Sequence, residues 1–232
     1  MSFDTTSVNT GRFRGVCVLL ENLVGRELLW LACRHHVLKL MLAKVFTMCC
    51  GPSSSPEIRS SSDLRHLWGG IIHQNFRGLE FLPGTESFRK ASLEFLTEIV
   101  STKSQVRDDY QELIELTLIV LGKPPENVHW RAPGPIHRAR WMAKLLYAIK
   151  IFLFRDQREA FNLTKKEAQL QRFVQSGALL HTTAWTTAPR AADAPVGDLK
   201  LWMDLIRYLS FDHEISVAAQ KVLREPSVVS FR

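Results

Sequence analysis

The stretch Leu28-Leu29-Trp30-Leu31-Ala32-Cys33-Arg34-His35-His36-Val37-Leu38-Lys39-Leu40 decides how the chain is read. Its first six residues form a continuous apolar run of strand length, the pattern of a strand buried on both faces. From His36 onward Val37, Leu38, Leu40, Met41, Leu42, Val45 and Phe46 recur at helical spacing, which predicts a buried helix over 36–48. Upstream, Asp4-Thr5-Thr6-Ser7-Val8-Asn9-Thr10-Gly11 gathers turn and cap formers behind a stub of strand, and helical apolar spacing follows over 16–24. Gly25 closes that helix. The order strand, helix, strand makes a parallel βαβ unit, and its right-handed crossover sets Asp4 and the residues after Cys33 at one carboxyl edge.

The rest of the chain is expected to be helical. Cys49-Cys50-Gly51-Pro52 stops the helix over 36–48, and the Ser/Pro-rich stretch 53–62 marks a boundary. This divides the chain into a core segment over 1–51, a loop-rich linker over 52–86 and a helical region over 87–232. Within that region helices are predicted from Ser87 to Val100, from Asp108 or Asp109 to Leu121, over 137–155, over 165–185, over 198–209 and over 212–224. The breakers are Lys123-Pro124-Pro125-Glu126-Asn127 and the loop over 186–197, which carries Pro189 and Pro195. The fold class is therefore mainly α, with a small two-stranded parallel β remnant near the start.

Composition narrows the classes of function. The 232 residues are 46% hydrophobic, enough for a real core, and 30 Lys+Arg against 23 Asp+Glu give a net charge of +7, which suits a polyanionic partner. Cys17, Cys33, Cys49 and Cys50 lack the spacing of a disulfide framework, which predicts a reducing compartment. The apolar run over 141–154 is short for a bilayer and contains Lys144 and Lys150, so no membrane span is expected. Neither a Gly-rich phosphate loop nor a Gly-x-Ser-x-Gly elbow is present.

Two clusters bear chemistry. An aspartate leaving a central strand, as Asp4 does, can present its carboxylate to a hard divalent cation, or it can cap the helix that follows. Cys33 and His36 are zinc-ligand types, but a zinc site needs at least three protein ligands, and His35, His66, His73 and His181 are scattered. A strand-ending Cys beside a helix-starting His is otherwise a clamp, with the thiol buried and the imidazole bonded to its neighbours. Arg131, His137, Arg138, Arg140 and Lys144 form a basic run that reads either as a phosphate face or as a solvated face.

Taken in order, Asp4-Thr5-Thr6 with Asn9, then Cys33-Arg34-His35-His36-Val37-Leu38-Lys39-Leu40, resembles the catalytic core of eukaryotic cut-and-paste DNA transposases of the hAT type and their relatives. Those enzymes have a ribonuclease-H-like fold, and they carry an Arg-Trp pair at the start of a helical insertion, matched here by Arg140-Trp141. The resemblance implies that Asp4 is the second of three acidic residues that bind magnesium or manganese, with Cys33 and His36 supporting the site. It implies that Arg140 orients the insertion towards the core or DNA with Trp141 packed beneath it. It also implies a nuclear location and oligomerisation. The chain departs from the family pattern where the first acid should precede Asp4 and where a glutamate should follow the insertion. Glu214, in Phe211-Asp212-His213-Glu214-Ile215, reads as a first-turn helix acid, and Glu225 beside Pro226 is no better placed. One carboxylate does not hold two metals. The expectation is a truncated or domesticated transposase remnant that retains one metal-binding Asp and DNA binding without catalysing transposition alone. The competing expectation is a helical protein-interaction module.

Overall fold

The computed structural model describes residues 2–3, 6–11, 13–28, 31–52, 64–102, 108–134, 143–157, 167–190 and 193–224. The chain is mainly helical. Extended structure among the described residues amounts to β1 (Ser2–Phe3) and β2 (Leu31–Ala32), paired in parallel at Ser2↔Leu31 and Phe3↔Ala32. Of the strand expected over 28–33, the described pairing covers Leu31 and Ala32, while Leu29 and Trp30 lie outside the described residues. This is a bridge rather than a sheet, because a parallel pair without further neighbours leaves most of its backbone groups to solvent. Between the two strands lie α1 (Ser7–Thr10) and α2 (Val16–Val24). Helix α2 ends at Gly25, whose φ of 69° is a left-handed conformation that glycine adopts without a Cβ clash, and whose N–H donates to the Glu21 carbonyl at 2.8 Å. Apart from Cys17, the side chains of α2 are at least partly solvated, and Leu19, Leu20, Leu23 and Val24 are exposed. The helices of the second half do not cover them.

Helix α3 (Arg34–Cys50) starts two residues before the expected position and buries Leu38, Met41, Leu42, Val45, Phe46 and Cys49. It packs along α10 (His213–Leu223), the last described helix, and against α7 (Glu167–Ser176). The remaining elements are α4 (Glu86–Ser101), α5 (Asp108–Val120), α6 (Ala143–Leu153), α8 (Thr182–Thr187) and α9 (Ala194–Tyr208). One apolar core runs through all of α3 to α10, from Leu38 to Val222. Helix α5 ends in a Schellman arrangement: Lys123 N–H donates to the Leu118 carbonyl at 2.9 Å and Gly122 N–H to the Ile119 carbonyl at 3.0 Å, with Gly122 at φ 83°. The Ser/Pro-rich stretch 53–62 lies outside the described residues.

Two features depart from the helix pattern in the sequence. The helix expected over 165–185 is broken by a π turn at Gly177–His181. A Cβ on Gly177 would stand 2.4 Å from Leu145 Cδ1, so the close approach of α6 there requires glycine. Ser92 Oγ donates to the Leu179 carbonyl at 3.1 Å inside the widened turn. The second departure is α9, which begins at Ala194 rather than 198. Pro195 occupies its first turn, where the missing N–H has no intrahelical acceptor to lose.

The segment 71–84, without regular structure, is held from outside. Arg155, its side chain 3% exposed, donates to the carbonyls of Arg77 at 2.9 Å and Gly78 at 3.2 Å and to Glu167 at 2.8 Å. Gln157 accepts from Ile72 N–H at 2.9 Å and returns a bond to the Ile72 carbonyl at 2.8 Å. Two side chains therefore satisfy backbone groups that a helix or sheet would otherwise satisfy.

Helix α6 carries a cation into the core. Lys150 is 1% exposed, and its Nζ lies 2.5 Å from Glu112 Oε1 on α5, 2.8 Å from the Arg131 carbonyl and 4.9 Å from the centre of the Trp68 ring. Burial pushes the ammonium pKa down, and the Glu112 charge and hydrogen bond push it back up. Removing one member leaves the other buried and uncompensated. Lys150→Met should therefore cost about 3–5 kcal/mol in urea unfolding, and Lys150→Met combined with Glu112→Leu should recover most of that loss.

Candidate functional site

The Cys33–His36 block forms the start of α3. Cys33 is extended (φ −60°, ψ 119°) and its carbonyl accepts from His36 N–H at 2.9 Å and Val37 N–H at 3.1 Å, while its thiol makes no capping bond. Arg34 forms a two-pronged pair with Asp198 in the second turn of α9, Nε to Oδ1 at 2.9 Å and Nη2 to Oδ2 at 2.8 Å. His35 Nε2 is hydrogen-bonded to the Tyr110 hydroxyl of α5, and its ring meets Trp185 of α8 edge-on at 4.8 Å between centroids. The block ties the N-terminal segment to three helices of the core. His36 is half-buried in the same first turn.

Behind His35 sits His181, the last residue of the π turn and 2% exposed. Its pKa is pushed down to about 3, first by burial and then by His35, so the ring is neutral throughout the ordinary pH range. Neither ring nitrogen has a hydrogen-bond partner among the described residues, and the Trp185 indole N–H is in the same condition. Each such group costs about 1–3 kcal/mol. Cys17, Cys33, Cys49 and Cys50 form no disulfide.

At the other end of α3 lies a second charged cluster. Arg172 of α7 grips Asp212, Nε to Oδ2 at 2.7 Å and Nη2 to Oδ1 at 2.8 Å, and reaches Glu214 Oε2 at 2.7 Å. Asp212 also caps α10 by accepting from Ile215 N–H at 3.1 Å. Burial would raise the Asp212 pKa, but the bonds from Arg172 and Ile215 outweigh it and hold the carboxyl below its ordinary value. The Cys49 thiol nearby is pushed up to about 12, by burial first and then by the negative charges of Cys50, Asp212 and Glu214 against the opposing pull of Arg172.

The position of Glu214 bears on metal chemistry. It lies in the first turn of α10, paired with Arg172, beside the Cys49 end of α3. Cys33 to Cys49 is sixteen residues of helical rise, about 24 Å. Glu214 is therefore remote from the edge at which Phe3 and Ala32 end. Among the described residues no three His, Cys, Asp or Glu side chains are grouped so as to hold a metal, and the described residues do not fit a two-metal site.

Asp4, Arg138, Arg140 and Trp141, with His137 and Glu225, lie outside the described residues. Of the remaining basic run, Arg131 pairs with Asp108 at 3.2 Å. Lys144 is half-buried with its Nζ 5.0 Å from the Phe46 ring centre, and its pKa is lowered by burial and then by the neighbouring Lys39. Sequence reading did not single out the Arg34–Asp198, Arg172–Asp212 and Lys150–Glu112 pairs, whose partners are separated by 164, 40 and 38 positions. Only Lys150 left a local signal, a cation amid apolar residues that must find an acid. No described helix is long and apolar enough to cross a membrane. Compared with protein-family models, curated proteins and solved structures, the chain matches none.

Acid should unlock the α7–α10 junction. The lowered pKa of Asp212 means that its contribution is complete above the unfolded-state carboxylate range and is lost as pH falls through the folded value. Thermal unfolding followed from pH 6 to about pH 2 should show this loss, and Arg172→Met, which leaves Asp212 buried and unpaired, should cost about 3 kcal/mol at neutral pH and flatten the acid limb.

Proposed function

We propose that the chain derives from a cut-and-paste DNA transposase of the hAT type or a relative, that Asp4 is its surviving metal-binding carboxylate, and that it works as a nuclear DNA-binding protein without cutting DNA by itself. The observation that carries this reading is the parallel register of Ser2–Phe3 with Leu31–Ala32 on either side of α2. A ribonuclease-H-like core would need a parallel crossing of this kind to bring Asp4 and Cys33 to one edge, and the two paired residues are in keeping with that reading. The net charge of +7 suits a phosphate backbone.

Inactivity follows from the number and placement of acids. Two-metal phosphoryl transfer needs two or three carboxylates at one edge. Glu214, a first-turn acid of α10, is held by Arg172 at the far end of α3. Asp4 alone does not clamp both the attacking and leaving oxygens, so magnesium or manganese would meet an incomplete ligand set. A second reading, a helical protein-interaction module, draws its support from the apolar residues exposed along α9.

Binding to a fluorescent duplex of about 30 base pairs, titrated between about 50 and 200 mM salt, distinguishes the two. A DNA-binding face should lose affinity steeply, each phosphate contact adding about 0.9 to the logarithmic slope, and the Arg138→Ala/Arg140→Ala double variant should reduce that slope by about 2. No retention of DNA at the lowest salt would favour the interaction module. Manganese-dependent cleavage that Asp4→Ala abolishes would overturn the claim of inactivity.

A further inference from the structure

Helix α9 has two apolar faces and only one of them is used. Leu201, Leu205 and Tyr208 enter the core. On the opposite side Val196, Leu199, Met203 and Ile206 are 72%, 63%, 51% and 42% exposed. Their spacing of three, four and three residues is the a/d seam of a heptad, drawn along about 15 Å of helix. A scatter of exposed apolar residues needs no explanation, but a seam at this spacing places four of them in line for one partner helix.

The flanks of the seam say which partner. Lys200 and Arg207 stand beside it at the e positions, each with a side chain 56% exposed, above Asp204, whose side chain is 14% exposed and whose Oδ1 lies 3.4 Å from Arg207. On the other flank Arg224 lies over the Trp202 ring, 4.9 Å from its centre. Three cations therefore border the seam, against one carboxylate sunk beneath two of them, and Arg207 also lies 4.8 Å over the Phe88 ring of α4. A second copy of α9 laid antiparallel would bring Lys200 and Arg207 against their own counterparts, and like charges at flanking positions disfavour that pairing. Phosphate would meet four apolar side chains in the middle of the patch. Next to Lys200, between α9 and α4, a pocket of about 140 Å³ lined by Phe88, Ala91, Leu179 and Leu201 can take one anchoring side chain.

We propose that the exposed face of α9 docks an amphipathic helix of a partner protein, with aliphatic residues at a and d and acidic residues on its flanks. The seam supplies the apolar contact and the cations select the partner's charge. The inference stands apart from the DNA-binding reading, since it uses neither Asp4 nor the Arg138–Arg140 run.

The probe is a fluorescein-labelled peptide about three heptads long, leucine at a and d and glutamate at e and g, titrated with the whole chain and followed by anisotropy. A matched peptide with lysine at e and g is the control. The glutamate peptide should bind, and Leu199→Asp and Met203→Asp, both on exposed positions and checked for helicity by circular dichroism, should each weaken it at least about tenfold. Lys200→Glu/Arg207→Glu should reverse the preference towards the lysine peptide. Equal binding of both peptides, insensitivity to Leu199→Asp, absence of binding, or displacement of the peptide by duplex DNA would each overturn the proposal. So would a dimer in sedimentation equilibrium that Leu199→Asp dissolves, because the occupant would then be a second copy. Should the charge-reversed variant fail to fold, the two aspartate variants still decide.

Discussion

The buried pair of Lys150 and Glu112 constrains the core more tightly than any apolar contact does. An ammonium at 1% exposure is tolerated only where a carboxylate and other acceptors meet it, and here Glu112 and the Arg131 carbonyl do so while Trp68 covers one side. The pair adds a polar condition to the apolar packing of α5 on α6, because a shifted register would leave a charge buried without its partner. With that register set, Gly177 has to face Leu145, and the helix that bears Gly177 opens into its π turn at that point. The irregular segment 71–84 then closes over Leu153 and Arg155 at the end of the same helix, Arg77 N–H donating to the Leu153 carbonyl at 2.9 Å.

Helices were legible where local chemistry marks their ends. The expectation for 16–24 coincides with α2, and those for α3, α4, α5 and α10 come within about two residues, because apolar spacing, Gly25, Gly51 and Gly122, and the Asp212 cap are written in neighbouring positions. Beyond that range the reading weakens for physical reasons. The π turn carries Gly177 against Leu145, which is more than thirty positions away, and nothing near Gly177 announces that approach. Pro195 resembles a breaker until the helix is known to start one residue before it. The apolar run ending at Cys33 predicts a long buried strand, and the pairing described covers only Leu31 and Ala32, since strand partners lie outside the local pattern.

The candidate site was legible in a different way. The sequence block Cys33-Arg34-His35-His36 stands out by composition, yet the roles of its members are set by residues far along the chain. Arg34 is taken by Asp198, and His35 by Tyr110 and Trp185. Glu214 reads locally as a first-turn acid, and the structure adds its grip by Arg172 and its distance from Cys33. Long-range electrostatic partners carry no periodicity, so no pattern in the sequence exposes them.

Those partners change what the N-terminal edge can do. Through Arg34 the start of α3 is bound to Asp198 near the start of α9, and through His35 it rests on the helix that follows the π turn. An event at the Cys33 edge is thus one ion pair away from the helix whose outer face is apolar and unused. The two-pronged Arg34–Asp198 contact fixes orientation as well as distance between these regions, as guanidinium–carboxylate geometry does. Leu201, Leu205 and Tyr208 anchor the inner side of α9 in the core, so the apolar contacts and the Arg34 pair hold this helix from two directions.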